Sequence, residues 1–354
     1  MTHADFLALK RFPALDGVRA VAALMVVFFH YGGPGWLQGW LGVQIFFVLS
    51  GFLITTLLLR EHARNGRISL ARFYRRRAFR ILPVYFVVLL VTAAGLLAAG
   101  QFTADPLGRE FGLYLTFLNE FGHGGAYGQS WSLGVEQKFY LVWPLLAFGL
   151  LPRWRPWVTV ALMTLALAVV PLTVSFDPKG WPVHYFTVLV GCGLALLMNN
   201  RRGFALLRPL MAPWVALLFV GVHLAVPYIS GALDGPIPGF VAAVPIYAVS
   251  VGLMLPSLLA PGLPQRLLSA RPMVWLGERS YSIYLVQSTA HSVVLLSGAS
   301  GLVMAVATAI VAIGLADLCH RFVELPMIER GRSPRRTANV GADRCARPSA
   351  ISGG

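Results

Sequence analysis

Charge is scarce in this chain. Of 354 residues only 12% are charged against 57% hydrophobic, and the mean hydropathy is +0.69. Soluble domains carry about 25% charged residues, so half that density over such a length excludes an ordinary water-soluble enzyme. Acidic residues are scarcer still, 14 Asp and Glu against 29 Lys and Arg, for a net charge of +15. In a polar protein that excess would suggest nucleic acid; in a chain this apolar a nucleic-acid partner is excluded. Cysteine is nearly absent. Cys192, Cys319 and Cys345 cannot all pair, and no Cys-x-x-Cys or Cys/His spacing suits a metal, so no metal site is expected. Nor is the first apolar run expected to be a cleavable leader, because it contains Arg19, ends at His30 and lacks a small-x-small site. No internal repeat suggests an inverted-repeat transporter.

What the chain has is apolar runs of bilayer length. A helical span takes roughly 20 residues, and runs at 13–31, 41–59, 82–99, 131–151, 156–174, 184–198, 212–229, 238–259, 275–297 and 300–319 are broken by Pro, Gly, Arg or Asn clusters. They predict an all-α, polytopic membrane protein of about ten transmembrane helices. With the N-terminus inside, 24 of the 29 basic residues fall in cytoplasmic segments, and the outer segments hold only Arg109 and Lys179. That asymmetry places both termini in the cytoplasm of a multi-pass protein of the cytoplasmic membrane. Residues 1–330 form the integral-membrane domain, and 331–354, GRSPRRTANVGADRCARPSAISGG, are expected to be a disordered basic tail.

Ionisable groups inside spans are costly and mark function by default. In FPALDGVRAVAALMVVFFHY, Arg19 and His30 are eleven residues apart, roughly 16 Å along a helix and nearly one face. Asp16 lies on the same stripe. The Asp16–Arg19 pair fits either a functional cavity or a topogenic salt bridge, and His30 either a general base or a histidine satisfied by one hydrogen bond. A neutral imidazole there can take the proton of a hydroxyl. In RFYRRRAFRILPVYF, Arg72, Arg75, Arg76, Arg77 and Arg80 precede the third run, whose Pro83 suits a first helical turn. A phosphate there would meet guanidinium forks and a helix N-terminus together. Lipid anchoring explains most of the cluster; Arg77 and Arg80, flush with the apolar boundary, are the leading phosphate ligands, with Arg76 beside them. In SWSLGVEQKFYLVWP, Ser132 and Glu136 share a face, and Glu136 cannot reach Lys138 two residues on. Glu136 therefore needs a cationic partner or ligand from another helix, at a depth comparable with His30. Trp131 reads as an interfacial belt residue. The ninth run carries Ser280, Tyr284, Gln287, Ser288 and His291 at helical spacing, with Tyr281 alongside. This stripe fits interhelical hydrogen bonding or a substrate path equally well. Gly42, Ser50 and Gly51 are placed for close helix packing.

The segments LDGVRAVAALMVVFFH, LGVQIFFVLSGFLIT, FYRRRAFRILP, SWSLGVEQKFYLVWP, LGERSYSIYL and RFVELP, in this order from about Phe12 to Arg330, resemble the membrane-bound acyltransferase-3 family, bacterial O-acetyltransferases of surface glycans, lipochitooligosaccharides and some macrolides. The resemblance implies acyl transfer across the membrane, from a cytoplasmic acyl-CoA, most simply acetyl-CoA, to a hydroxyl of an extracytoplasmic glycan or lipid-linked sugar. Its motif arginines fall on Arg19, Arg77 and Arg80 and its histidine, regarded as catalytic, on His30. Glu136 and Asp16 complete the candidate catalytic group, and Ser132, Tyr281, Tyr284 and Gln287 the substrate cavity. No serine or cysteine stands beside a base, so direct transfer is preferred to a covalent intermediate. Members often carry histidine where this chain has Gln287. Some also carry a C-terminal esterase-like domain, which is not expected in the 24 residues after Arg330. A small hydroxylated acceptor such as a macrolide, and a transporter or flippase, are the competing readings.

Overall fold

The computed structural model describes residues 1–149, 152–174 and 180–332. Among them are ten helices of at least 18 residues: α1 Pro13–His30, α2 Leu41–Asn65, α3 Leu70–Ala98, α4 Trp131–Gly149, α5 Arg155–Thr173, α6 Trp181–Asn199, α7 Trp214–Ala232, α8 Gly239–Leu259, α9 Arg271–Leu295 and α10 Gly301–Cys319. Eight helical stretches are long and apolar enough to cross a membrane. The two long helices outside that set are α4 and α9, which hold Glu136, Lys138, Glu278 and Arg279. The basic tail beyond Arg332, Cys345 and Lys179 lie outside the described residues. Gly331 and Arg332, expected in the tail, instead end the helix Leu325–Arg332, with Gly331 packed on Phe79 of α3.

Local chemistry sets the boundaries. Proline, whose missing N–H costs nothing in a first turn, opens α1, α5, α6 and α9 at Pro13, Pro156, Pro182 and Pro272. Gly66 ends α2 at φ +68°, a backbone that favours glycine. Ser69 then caps α3 by accepting from the Arg72 N–H. This start corrects the expected boundary: Pro83 sits inside α3 rather than in its first turn. Arg77 and Arg80 therefore lie well within a helix, and no helix N-terminus supports them.

Inside a bilayer the hydrophobic effect does not drive helices together, so packing rests on small residues and interhelical hydrogen bonds. Gly51 of α2 faces the Val188 carbonyl of α6, and Gly191 of α6 faces the Val48 carbonyl; a side chain at either would collide with backbone. Gly42 meets α1 in the same way at Ala22, and Gly277 of α9 meets Asp16. Helix α1 thus lies against α2, α9 and α10, while α2 lies against α6 and α8. Trp143 of α4 donates to Thr55 of α2 at 2.9 Å in the buried core. The segment between α3 and α4 folds back onto the bundle. Its Tyr114 and Tyr127 are buried, Phe117 stacks on Tyr85 at 4.3 Å, and its Glu120 pairs with Lys138 of α4.

Candidate active site

A cavity of about 480 Å³ is bounded by α1, α2, α3, α4, α9 and the end of the chain's last helices. It gathers Asp16 and Arg19 from α1, Ser50 from α2, Arg77 and Arg80 from α3, Ser132 and Glu136 from α4, and Ser280, Tyr281 and Tyr284 from α9. Five stretches far apart in sequence thus face one space. Arg19 reaches Asp16 at 4.0 Å, and the charges of Arg77 and Arg19 both act on the Glu136 carboxylate. Glu136 accepts from Ser50 Oγ at 2.5 Å, and Tyr140 in turn donates to Ser50 at 3.3 Å. The partner that Glu136 requires is thus a hydroxyl on α2 with two guanidinium charges nearby. It shares the cavity with Arg19, whereas His30, expected at a comparable depth, is not among the lining residues. Lys138 points away, to Glu120 and the Phe117 carbonyl.

Helical periodicity divides the arginine cluster. Arg77 and Arg80 share the inward face of α3 with Phe73, Ile81 and Val84, and of the five arginines only these two line the cavity. The Arg77 guanidinium lies over the rings of Phe73 and Tyr140, at 5.9 and 5.5 Å. Aromatic faces attract such a cation while leaving its in-plane N–H groups free for an anion. Arg76 turns aside and pairs with Glu61 at 3.2 Å, outside the cavity. Of the three arginines expected at a phosphate, Arg76 is thus the one that does not line the cavity.

Toward the end of the bundle that holds His30, the cavity meets Tyr284. Its hydroxyl hydrogen-bonds Ser132 at 2.8 Å and donates to the Gln129 carbonyl. Tyr281 lines the cavity, but its hydroxyl donates to the Ile81 carbonyl at 2.7 Å. Gln287, one turn beyond Tyr284, is buried and donates to the Tyr284 carbonyl at 2.9 Å, beside His30 and outside the cavity lining. His30 also lies outside the lining, exposed at the end of α1. Its Nδ1 is 2.9 Å from the Val26 carbonyl. A carbonyl only accepts, so Nδ1 carries the hydrogen and Nε2 of the neutral ring keeps its lone pair. Tyr31 stacks on His291 at 4.3 Å nearby. Trp131, expected in an interfacial belt, packs half-buried on His184 and Phe47.

Sequence reasoning missed several contributors. Ser50 looked like a packing residue, and Tyr140 carried no signal beyond its place one turn after Glu136. Glu324 lies in RFVELP, and the signal there was an acid among apolar residues at the end of the last span. A π-helical segment, His320–Glu324, turns both end residues into the cavity. Glu324 accepts from His320 at 3.0 Å and from Ser282 of α9 at 3.1 Å. Such π segments recur at functional positions. Arg279, also overlooked, joins α9 to α10 through Asp317 at 2.7 Å.

A family model described as an acyltransferase domain matches residues 12–321. Among curated proteins, the chain is 30% identical to the putative peptidoglycan O-acetyltransferase YrhL of Bacillus subtilis, over 90% of the chain and 55% of that protein. It is 28% identical to the O-acetyltransferase OatA of Staphylococcus aureus, over 90% of the chain and 57% of that protein. The peptidoglycan O-acetyltransferase OatA of Listeria monocytogenes is 27% identical over 91% and 56%. The chain therefore spans about half the length of the curated relatives it matches. No solved structure matches it. The match over most of the helical bundle and of the cavity lining shows that this chain belongs to the acyltransferase-3 family of membrane proteins.

Proposed function

We propose that the chain is a membrane O-acetyltransferase. It takes an acetyl group from acetyl-CoA on the cytoplasmic side and transfers it to a hydroxyl of a glycan or lipid-linked sugar on the other side. The observation that carries this reading is the arginine-bearing cavity on α1, with His30 eleven residues further along the same helix. The 24 basic residues counted on one side orient the arginine end toward the cytoplasm. The relatives' names supply the acetyl group and the glycan class.

In this reading Arg77 and Arg80 bind the phosphates of the donor, and its pantetheine arm runs between the apolar walls toward Ser132 and Tyr284. His30 works at the far side. Its Nε2 accepts the proton of the acceptor hydroxyl as that oxygen attacks the thioester carbon. The carbon–sulfur bond then breaks, and the CoA thiolate leaves with the proton returned from the imidazolium. The Val26 carbonyl fixes the tautomer this requires. Arg19, tied to Asp16 and facing Glu136, positions the donor.

The test incubates purified protein with acetyl-CoA labelled in the acetyl group and an acceptor glycan in vesicles. Label is expected in the glycan with the native chain. His30→Ala is expected to lower it by about 10²–10⁴-fold, the usual contribution of a general base, while CoA binding persists. Labelling that survives His30→Ala overturns the assignment of the base. Absence of labelling together with passage of glycan across the vesicle would identify a transporter instead.

A further inference from the structure

A second cavity, of about 640 Å³, lies among α5, α6 and α8. It is separate from the first: Leu59 of α2 lines it, whereas Leu57, two residues earlier and on the opposite face of that helix, lines the candidate active site. The walls are apolar, formed by Met163, Val190 and Leu194 among others. Val160 of α5 and Val249 and Leu253 of α8 line it while remaining exposed. They sit on helices apolar enough to cross a membrane, so the opening faces hydrocarbon.

One charged group interrupts this surface. Arg155, the first residue of α5, is only 5% exposed and lines the cavity. Its Nε donates to the Ala147 carbonyl at 2.8 Å, and its guanidinium lies 4.3 Å from the Phe148 ring centre. Nη2 is buried without a hydrogen-bond partner. A buried donor left unsatisfied is costly, and more so when charged. Salt-bridge partners for Arg155 are absent among the described residues. A cation facing an apolar groove that opens to the bilayer matches a molecule with an anionic head and a hydrocarbon tail. Guanidinium groups bind phosphate oxygens through directed N–H groups.

We propose that this cavity is a binding site for an anionic phospholipid, with a phosphate oxygen on Arg155 Nη2 and one acyl chain along the groove. Gly193 leaves room for that chain, since a Cβ there would meet only the Thr159 methyl at 3.9 Å. The proposal does not depend on the acyl-transfer reading.

The test uses the full chain, purified in detergent and stripped of lipid, with binding followed by native mass spectrometry and thermal shift. The probes are dioleoyl phosphatidylglycerol, dioleoyl phosphatidylcholine and inorganic phosphate. Phosphatidylglycerol is expected to bind about tenfold or more tightly than phosphatidylcholine, a difference of about 1.4 kcal/mol, and inorganic phosphate is expected to give no protection. Arg155→Gln removes the head contact and Gly193→Leu fills the groove; each is expected to weaken phosphatidylglycerol by about tenfold. If Arg155→Gln fails to fold because the Ala147 contact is lost, Gly193→Leu decides alone. Unchanged binding in Gly193→Leu, equal binding of the two lipids, or equal protection by inorganic phosphate overturns the proposal.

Discussion

A carboxylate inside a helical bundle persists only with partners, and Glu136 has Ser50 at 2.5 Å with Arg19 and Arg77 close by. Ser50→Ala removes the hydroxyl and leaves both guanidinium charges in place. A hydrogen bond to a charged group is worth about 1.5–3 kcal/mol, so a fall in Tm is expected on that scale. Combining Ser50→Ala with Glu136→Gln is expected to cost less than the sum of the two, since both delete one contact; additive losses in thermal unfolding would show that the two side chains act independently. The need for such a partner was legible in the sequence, because Lys138 cannot face Glu136 across two residues of helix. Its identity was not. Ser50 sits beside Gly51 in a stretch that reads as small-residue packing, and the two positions are 86 residues apart, a proximity that only the tertiary arrangement creates.

At the scale of elements, the apolar runs matched the observed helices within a few residues at most ends, because run length measures the same hydrocarbon thickness the helix must cross. The exception is instructive. Helix α3 begins at Leu70, not near residue 82, since its first turns are amphipathic and arginine-rich and carry no hydropathy signal. Those turns aim Arg77 and Arg80 at the cavity and spend Arg76 on Glu61. Arg77→Glu with Arg80→Glu is therefore expected to weaken CoA binding by about tenfold or more, measured by equilibrium binding in detergent. Reversing Arg72 and Arg75, neither of which lines the cavity, is expected to change it little; equal effects would assign the whole cluster to lipid anchoring. The glycine contacts between α2 and α6 give a second expectation. Gly191→Leu would press a side chain into the Val48 carbonyl, and overpacking of this kind costs about 1–3 kcal/mol, to be read as a lowered Tm. A surface change such as Leu217→Ala on the exposed face of α7 serves as the control.

Considered whole, the molecule also depends on the segment between α3 and α4, which folds back onto the bundle. There the ring of His123 pairs with Glu110, and the His123 backbone N–H donates to the same carboxylate at 2.8 Å. The side-chain hydrogen bond from His123 holds the Glu110 carboxyl below its ordinary range. A depressed carboxylate contributes stability above its unfolded value, about 4.3, and loses it as pH falls through the folded value. The Tm advantage of the native chain over Glu110→Gln is thus expected to be present at neutral pH and to vanish under acid; an advantage that persists at low pH would show that the pair is not its source. The bundle's polar helices carry a consequence for how it is made. A charge at the centre of a span costs about 2.5–3.5 kcal/mol on insertion scales, and α4 and α9 are the long helices that lack the apolarity to cross alone. Helix α4 emerges after Ser50 and Arg77 have been synthesised and finds its partners waiting. Helix α9 does not, for Asp317 and Glu324, which hold Arg279 and Ser282, lie 38 and 42 residues further along the chain. A ribosome stalled before α10 would leave α9 without its counter-charge, and entry of the last two helices into the bilayer as one hairpin is the expected outcome.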